Sequence, residues 1–256
     1  MNIIVCVKAV PSQVNNPAIV NDGFGISVET PSLVINESDE YALEQALAIK
    51  KNIAATVTVI TVGSIRSQDV LHRSLARGAD AVIRVDGDEF DPNITALKLS
   101  RAIGRLSYDL VLTGVESLDG LSSQVPISVA SYLQVPFAYA VTRIDLNGSG
   151  TVKIDRELGG GRQQTLEMSM PALLSVQSGT GTLTYPAAVK LVQARRRPVP
   201  CWSLADLGMS EADVFTRRKT RLIGIRPRAT AREVEWMTGT PAQMAEEILA
   251  RIEKAL

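Results

Sequence analysis

Histidine is nearly absent from this sequence, and cysteine and aromatic residues are scarce. The 256 residues include one histidine, two cysteines and 4% aromatic residues. We interpret the single histidine, His72, as a helix-surface residue, because it lies within a predicted helix with no catalytic partner nearby. Cys6 and Cys201 are far apart, so the sequence shows neither a zinc cluster nor a disulfide framework. The sequence therefore predicts no metal site and no catalytic residue in this chain.

An excess of one charge and long apolar runs are missing as well. Lys plus Arg and Asp plus Glu both number 27, whereas a general nucleic-acid binder carries a basic excess. No run approaches the roughly 20 apolar residues that span a bilayer, and the opening MNIIVCVKAV does not have the pattern of a signal peptide. Two cysteines without a disulfide pattern fit a reducing compartment. We expect a cytoplasmic protein with no nucleic-acid partner and no membrane insertion.

Short apolar runs alternate with helical patterns from residue 2 to about 145. The predicted strands are Asn2–Lys8, Thr56–Val62, Ala81–Val85 and Leu110–Gly114. The predicted helices begin at Ser38, about Ser67, Asp91-Pro92 and near Ser122–Pro126. Strands that are apolar throughout are typical of a parallel sheet with helices on both faces. The sequence predicts an α/β fold with a doubly wound, mostly parallel sheet.

The second half of the sequence has a different pattern. Asn147-Gly148 is a hairpin signal between the extended runs Val141–Asp145 and Thr151–Arg156. Two further runs, Arg162–Met170 and Ala172–Val176, indicate antiparallel strands or a sheet edge. We therefore expect an antiparallel extension of the sheet.

The sequence after about residue 178 is irregular until a last helical pattern over Pro241–Leu256, with apolar residues at Met244, Ile248, Leu249 and Ile252. This change predicts two parts. We expect residues 1–208 to form an α/β domain and residues 209–256 to form a C-terminal arm that ends in a helix. We expect the arm to pack on the body or on a partner subunit.

The segment Thr113–Pro126 has the clearest ligand-binding pattern. It leaves a buried strand, crosses a small polar loop and enters a helix, whose first N–H groups carry partial positive charge and suit a phosphate. Ser122, Ser123 and Gln124 add side-chain donors, and Gly120 allows close approach of the backbone. The alternative is an ordinary strand-to-helix loop with a serine cap. The spacing alone leaves both interpretations open.

Three other segments reach the same predicted edge of the sheet. Ala9 follows the first strand, Val62-Gly63 ends the second, and Asn36 precedes the first helix. A ligand at the carboxyl ends of the strands would meet small residues, backbone and one amide. These surroundings suit an adenine ring.

Seven blocks, in this order, resemble the beta subunit of electron transfer flavoproteins over roughly residues 1–208. The blocks are Val7-Lys8-Ala9-Val10-Pro11, Asn36-Glu37-Ser38-Asp39-Glu40-Tyr41-Ala42-Leu43-Glu44, Leu75-Ala76-Arg77-Gly78-Ala79-Asp80, Asp109-Leu110-Val111-Leu112-Thr113-Gly114, Arg156-Glu157-Leu158-Gly159-Gly160-Gly161, Met170-Pro171-Ala172 and Ala194-Arg195-Arg196-Arg197-Pro198. The resemblance implies the adenine nucleotide alpha-hydrolase-like form of the α/β fold.

The resemblance also implies an adenosine nucleotide in this chain, either AMP or a second FAD. A redox FAD would be shared with, or carried by, a larger alpha subunit. The implied cofactor-binding residues are Ala9, Asn36, Val62, Gly63, Gly114, Asp119, Gly120, Ser122, Ser123, Gln124 and Val125. AMP-type members usually carry several aspartates followed by Asn-Gln-Thr, whereas here Gly120 follows the single Asp119. That departure leaves AMP and FAD both open.

The partners implied by the resemblance are the alpha subunit and, transiently, a flavin dehydrogenase and a quinone reductase. Ala188 occupies the position where the family carries a docking leucine, so docking to a dehydrogenase is expected to be weaker here. The basic run Arg195, Arg196 and Arg197 is interpreted as a partner-docking element, as a clamp on a neighbouring subunit or as a solvated face.

Other functions compete with a conventional electron carrier. One is an electron-bifurcating complex with a FAD in this chain. A second is a stand-alone adenine-nucleotide-binding regulatory module, against which a large exposed apolar face would count. A third is an adenylating enzyme, but Ala9-Val10-Pro11-Ser12 cannot replace its glycine-serine pyrophosphate loop.

Overall fold

A computed structural model describes residues 1–12, 32–87, 90–146, 148, 150–223 and 235–255, together with the backbone of 18–19 and 26–27. The strands are β1 (Asn2–Cys6), β2 (Ala9–Pro11), β3 (Ala18–Ile19), β4 (Ile26–Ser27), β5 (Leu33–Ile35), β6 (Thr56–Val62), β7 (Ala81–Val85), β8 (Leu110–Gly114), β9 (Phe137–Leu146), β10 (Thr151–Gly159), β11 (Arg162–Ser169), β12 (Ala172–Val176) and β13 (Cys201–Trp202). The helices are α1 (Glu37–Asn52), α2 (Gln68–Arg77), α3 (Pro92–Ile103), α4 (Val125–Leu133), α5 (Ala188–Arg195), α6 (Glu211–Arg217) and α7 (Pro241–Ala255).

Nine strands form one sheet in the order β11-β10-β9-β12-β8-β1-β6-β7-β13. The strands from β12 to β13 are parallel, and β9 joins β12 in parallel. Strands β9, β10 and β11 then continue the sheet in antiparallel order. The predicted mostly parallel sheet with an antiparallel extension is confirmed. Asn147 of the predicted hairpin turn lies outside the described residues.

Helices cover both faces of the sheet and bury two apolar cores. Helices α1, α2 and α5 pack on one face, and α3, α4 and α6 pack on the other. Strand β8 is buried along its whole length, as its mostly apolar sequence predicts for a central parallel strand. The doubly wound arrangement is therefore confirmed. Within the described residues, no helix is long and apolar enough to cross a membrane.

The prediction for Ala172–Val176 was wrong in position. This run was expected in an antiparallel element or at a sheet edge, but as β12 it lies inside the sheet, parallel to both β8 and β9. All five residues are buried. A short, mostly apolar run is typical of a strand buried on both faces, and hydrophobic pattern alone does not give its direction.

The segment after residue 178 is more regular than predicted. It contains α5, α6 and the edge strand β13, which pairs in parallel with β7. Only one residue of α5, Ala194, is buried, so the helix has too short an apolar stripe to be recognised from periodicity.

The first helix also begins differently from its prediction. Asn36 is the N-cap and α1 starts at Glu37, so Ser38 is inside the helix and does not cap it. The hydroxyl of Ser38 instead donates to the carbonyl of Glu116, 2.8 Å away. By contrast, Asp91 caps α3 as predicted, with Pro92 in its first turn.

Contacts with the body continue beyond residue 208. Met209 and Val214 are buried in the same core as α3 and α4, and the backbone N–H groups of Lys219 and Thr220 bind Asp91. Helix α7 lies within the range predicted for the last helix, and of its residues up to 254 only Met244 is even partly buried. The first part of the predicted arm therefore packs on the body. The division of the chain at residue 208 stays a prediction.

Candidate functional site

The candidate site lies where β1 and β8 end side by side. These strands are neighbours and parallel, so their carboxyl ends reach the same edge of the sheet. The loop after β8, residues 115–124, passes over this edge and leads into α4. The N-terminus of α1 contacts the same loop through Asn36 and Ser38.

Asn36 holds the loop through its side-chain amide. Its Nδ2 donates to the carbonyl of Glu116 at 2.7 Å, and its Oδ1 accepts from the N–H of Leu118 at 3.0 Å. Nδ2 also lies 3.1 Å from the hydroxyl of Ser38, and Asn36 is 1% exposed. Both polar atoms of the amide are thus used within the protein, and Asn36 positions the loop.

Asp39 joins the ends of the two strands. Its carboxylate accepts from the N–H of Lys8 at 2.8 Å and from the N–H of Gly114 at 2.9 Å. Burial raises the pKa of Asp39 to about 7, although these hydrogen bonds favour the ionised form and oppose the shift. The buried carboxylate therefore fixes the strand ends on either side of the site.

Gly114 and Gly63 allow close packing at the strand ends. A Cβ atom at Gly114 would collide with the side chains of Ser38 and Asp39, and one at Gly63 would collide with Ser67. Gly63 donates its N–H to Val85 at 3.0 Å and accepts from the Arg84 guanidinium at 2.8 Å. The backbone groups of these two glycines are engaged inside the protein, so the glycines shape the edge.

The loop before α4 alternates between left-handed and right-handed backbone angles. Ser123 has a φ of 51°, in the left-handed region, and Gln124 follows with right-handed helical angles of −91° and −28°. Such an alternation turns successive N–H groups into one concavity that binds anions. Gln124 makes no side-chain capping bond to α4, and the first N–H groups of a helix have no acceptor within it. A phosphate is well suited to this position.

Lys8 is a site residue that was not predicted individually. Its ammonium lies 2.6 Å from Asp119 Oδ1 and 3.2 Å from Ser117 Oγ. The side chains of Lys8 and Asp119 are 45% and 35% exposed, so the cation is accessible from the loop. The one feature of the sequence that could have indicated Lys8 is its position just after the first strand. Its partner Asp119 is 111 positions away, so no local pattern predicts their contact.

Five of the eleven predicted cofactor-binding residues lie in the loop between β8 and α4. Asp119, Gly120, Ser122 and Gln124 are exposed there, and Ser123 is partly buried and bonded to Glu116 at 2.9 Å. The other predicted residues lie at the strand ends or beside them: Ala9, Asn36, Val62, Gly63 and Gly114. Val125 is the first residue of α4.

The predicted docking residues form a separate surface on α5. Ala188 is the first residue of α5 and is exposed. Arg195 lies 3.5 Å from Asp69 of α2, and Arg197 donates to the carbonyl of Asp80 at 2.9 Å. Arg196 is exposed. Part of the basic run therefore holds α5 against the body.

His72 lies near the same surface. Its Nε2 is 3.3 Å from the carbonyl of Arg197, which agrees with a structural interpretation. Among the residues that the structure describes, no group of three or more acidic, histidine or cysteine side chains could hold a metal ion.

Comparison with known proteins decides the family. Residues 25–207 match the family described as "Electron transfer flavoprotein domain". The chain is 33% identical to "Electron transfer flavoprotein subunit beta" of Methylophilus methylotrophus, with 97% of each chain covered. The chain belongs to the electron transfer flavoprotein beta-subunit family.

Two further relatives are also named "Electron transfer flavoprotein subunit beta". The proteins from Clostridium acetobutylicum and Bacillus subtilis are 31% and 28% identical to the chain. The alignments cover 84% and 85% of this chain and 83% and 84% of those two proteins. The resemblance drawn from the seven sequence blocks is confirmed.

Proposed function

We propose that this chain is the beta subunit of a heterodimeric electron transfer flavoprotein. It holds AMP or a second FAD and helps to form the flavin site of a larger alpha subunit. The heterodimer then carries electrons from a flavin dehydrogenase to a quinone reductase or another acceptor. Beyond family membership, the observation that supports a partner subunit most directly is the apolar face of α7.

The apolar face of α7 has no cover among the described residues. Ile248, Leu249 and Ile252 are 42%, 59% and 51% exposed, although their spacing places them on one side of the helix. Trp236, shortly before the helix, is 84% exposed. A stand-alone regulatory module would leave this apolar surface in water, whereas a partner subunit would bury it.

The nucleotide site proposed here is the loop that follows β8. The N–H groups around Ser123 and Gln124 would hold a phosphate, with Lys8 supplying a positive charge. The strand ends at Ala9 and Val62 would form apolar walls for an adenine. A flavin bound in the heterodimer supplies electron transfer, while this chain's residues bind and orient the nucleotide.

AMP and FAD differ in the space that they need at this loop. AMP needs the adenine walls and one phosphate position, and FAD needs room for a second phosphate and the remainder of the cofactor. Gly120 is exposed, and a Cβ there would come within 3.2 Å of Ser117 Oγ and 3.8 Å of Lys8 Nζ. Glycine keeps this part of the loop open, which is compatible with either nucleotide, so the electron-bifurcating alternative is retained.

The proposed partners and location follow from the same arguments. The exposed surface of α5, with Ala188 in place of the family's leucine, would bind a dehydrogenase weakly.

A cytoplasmic location agrees with two free cysteines, of which Cys6 is buried and Cys201 is exposed. Burial, with a smaller contribution from Asp39, raises the pKa of Cys6 to about 12.

Co-expression with the larger subunit tests the proposal. A stable complex of one copy of each chain, with a flavin absorption spectrum that reduced dehydrogenase bleaches, is the expected result. A chain that stays monomeric beside a correctly folded larger subunit would contradict it.

A further inference from the structure

The carboxylate of Asp91 connects two parts of the chain. Its Oδ1 accepts from the N–H groups of Asn93 and Ile94 at 2.8 and 3.1 Å, which caps α3. Its Oδ2 accepts from the N–H groups of Lys219 and Thr220, both at 2.6 Å. Asp91 is 2% exposed. One buried carboxylate therefore holds four backbone donors, two at the start of α3 and two just after α6.

Asn93 strengthens the same connection. Its Nδ2 donates to the carbonyl of Arg217 at 2.9 Å, and its Oδ1 accepts from the hydroxyl of Tyr132 at 2.8 Å. Val214 of α6 is buried nearby in the core that includes α3. Side chains of α3 thus fix the chain from the end of α6 as far as Thr220.

The described residues after Thr220 make much less contact with the body. Arg221 is exposed, Leu222 is partly buried and Ile223 is 80% exposed. Of residues 235–254, only Met237 and Met244 are partly buried, and the others are exposed. Thr220 is therefore the last residue whose backbone is held by a buried side chain of the body within the described part of the chain.

We propose that Asp91 and Asn93 form the root of the C-terminal arm and set the direction in which the chain leaves the body to bind the larger subunit. This inference rests on the proposed function, in which the arm after Thr220 contacts that subunit. Because the start of the arm is already fixed on the body, the arm loses less conformational freedom when it binds the larger subunit. This preorganisation strengthens binding.

The ionised carboxylate is suited to this role because each of its oxygens accepts from a different segment. Asparagine at position 91 has one carbonyl oxygen, and its NH2 group would face N–H donors of the other segment. Asp91→Asn therefore keeps the size of the side chain but can satisfy only one of the two segments. Asp206→Asn is a matched control, since Asp206 accepts from Ser203 in a local turn.

The first measurement is amide hydrogen exchange of the full-length chain without its partner. We expect the N–H groups of Lys219 and Thr220 to be protected in the wild type and in Asp206→Asn. In Asp91→Asn, asparagine remains a good N-cap for α3, so Lys219 and Thr220 should exchange at least about tenfold faster. Exchange at Lys219 and Thr220 as fast as in an unfolded chain in the wild type would overturn the inference.

The second measurement is the affinity of the same proteins for the larger subunit. A loss of about tenfold in Asp91→Asn, with Asp206→Asn unchanged, is expected. Wild-type affinity in an Asp91→Asn protein whose Lys219 and Thr220 have lost protection would overturn the inference and leave the proposed function standing. Absence of binding by the wild type itself would overturn the proposed function and the inference together, whatever the exchange rates.

Discussion

The sheet edge at β1 and β8 differs from helix α7 in what its side chains contact. At the edge, Asn36 and Asp39 are buried and their polar atoms bind the backbone of neighbouring segments. On α7, Ile248 and Leu249 remain in solvent. The first region is completed by this chain's own residues, whereas the apolar face of α7 has no cover among the described residues. Nucleotide binding and subunit assembly should therefore respond to different mutations.

Charges on the apolar face of α7 should have the largest effect. Replacing Ile248 and Leu249 together with Asp would place two carboxylates in the proposed interface, and we expect the affinity for the larger subunit to fall by at least about 100-fold. Titration of the larger subunit by calorimetry measures this. Ala250→Asp adds one carboxylate on the opposite side of the exposed helix and should change the affinity little. Equal losses in both proteins would mean that the stripe is not the contact surface.

Removal of the Asn36 amide should act on the sheet edge and leave α7 unaffected. Asn36→Ala leaves the N–H of Leu118 without its partner and the carbonyl of Glu116 with only the Ser38 hydroxyl, so we expect the free energy of unfolding to fall by about 2 kcal/mol. Urea unfolding measures the change, and nucleotide affinity should fall with it. If assembly fell while nucleotide binding stayed constant, the separation of the two regions would be wrong.

The buried carboxyl of Asp39 predicts a particular pH dependence. Its pKa is about 7 in the folded chain against an ordinary 3.8, so the folded state keeps the proton that the unfolded state loses between these values. The stability of the wild type relative to Asp39→Asn should therefore fall as pH rises from about 4 to about 7, by up to about 1.4 kcal/mol per pH unit, and stay constant above.

Urea unfolding of the two proteins at pH 5, 6, 7 and 8 checks this slope. A difference in the free energy of unfolding that is the same at all four pH values would show that Asp39 is ionised in the folded chain throughout. In that case the two backbone N–H donors, rather than burial, would determine its charge state.

The exposed pair of Lys8 and Asp119 should give the smallest effect, with opposite signs for its two members. An exposed ion pair contributes about 0–1 kcal/mol, so the ammonium can turn to a phosphate at little cost. We expect Lys8→Met to weaken AMP binding by about tenfold and Asp119→Asn to strengthen it by a few fold. Neither change should alter adenosine binding, which serves as the control. Equal weakening of AMP and adenosine in Lys8→Met would show that Lys8 only supports the loop.

Local pattern was sufficient for much of the fold. Strands β6, β7 and β8 have the predicted bounds, because each is a short run made mostly of apolar and β-branched residues. The start of α3 was also predicted, because Asp91 and Pro92 carry the cap and the fixed backbone angle of a first turn. These features depend on residues next to one another in sequence.

Features that depend on distant residues were not predicted. The side chain of Asn36 bonds Glu116, 80 positions away, and Lys8 bonds Asp119, 111 positions away. Such pairs leave no periodicity, so the sequence indicated an amide at the site but not that the loop uses both of its polar atoms. The central place of β12 was missed for the same reason, since strand order is decided by the packing of the whole chain.

The measurement that tests the central claim most directly is the identity of the nucleotides released from the purified heterodimer by denaturation. The account predicts one adenosine nucleotide for this chain in addition to one FAD, so the released material should be AMP with FAD or two FAD per heterodimer. Release of a single FAD with no second nucleotide would contradict the site proposed at the carboxyl ends of β1 and β8.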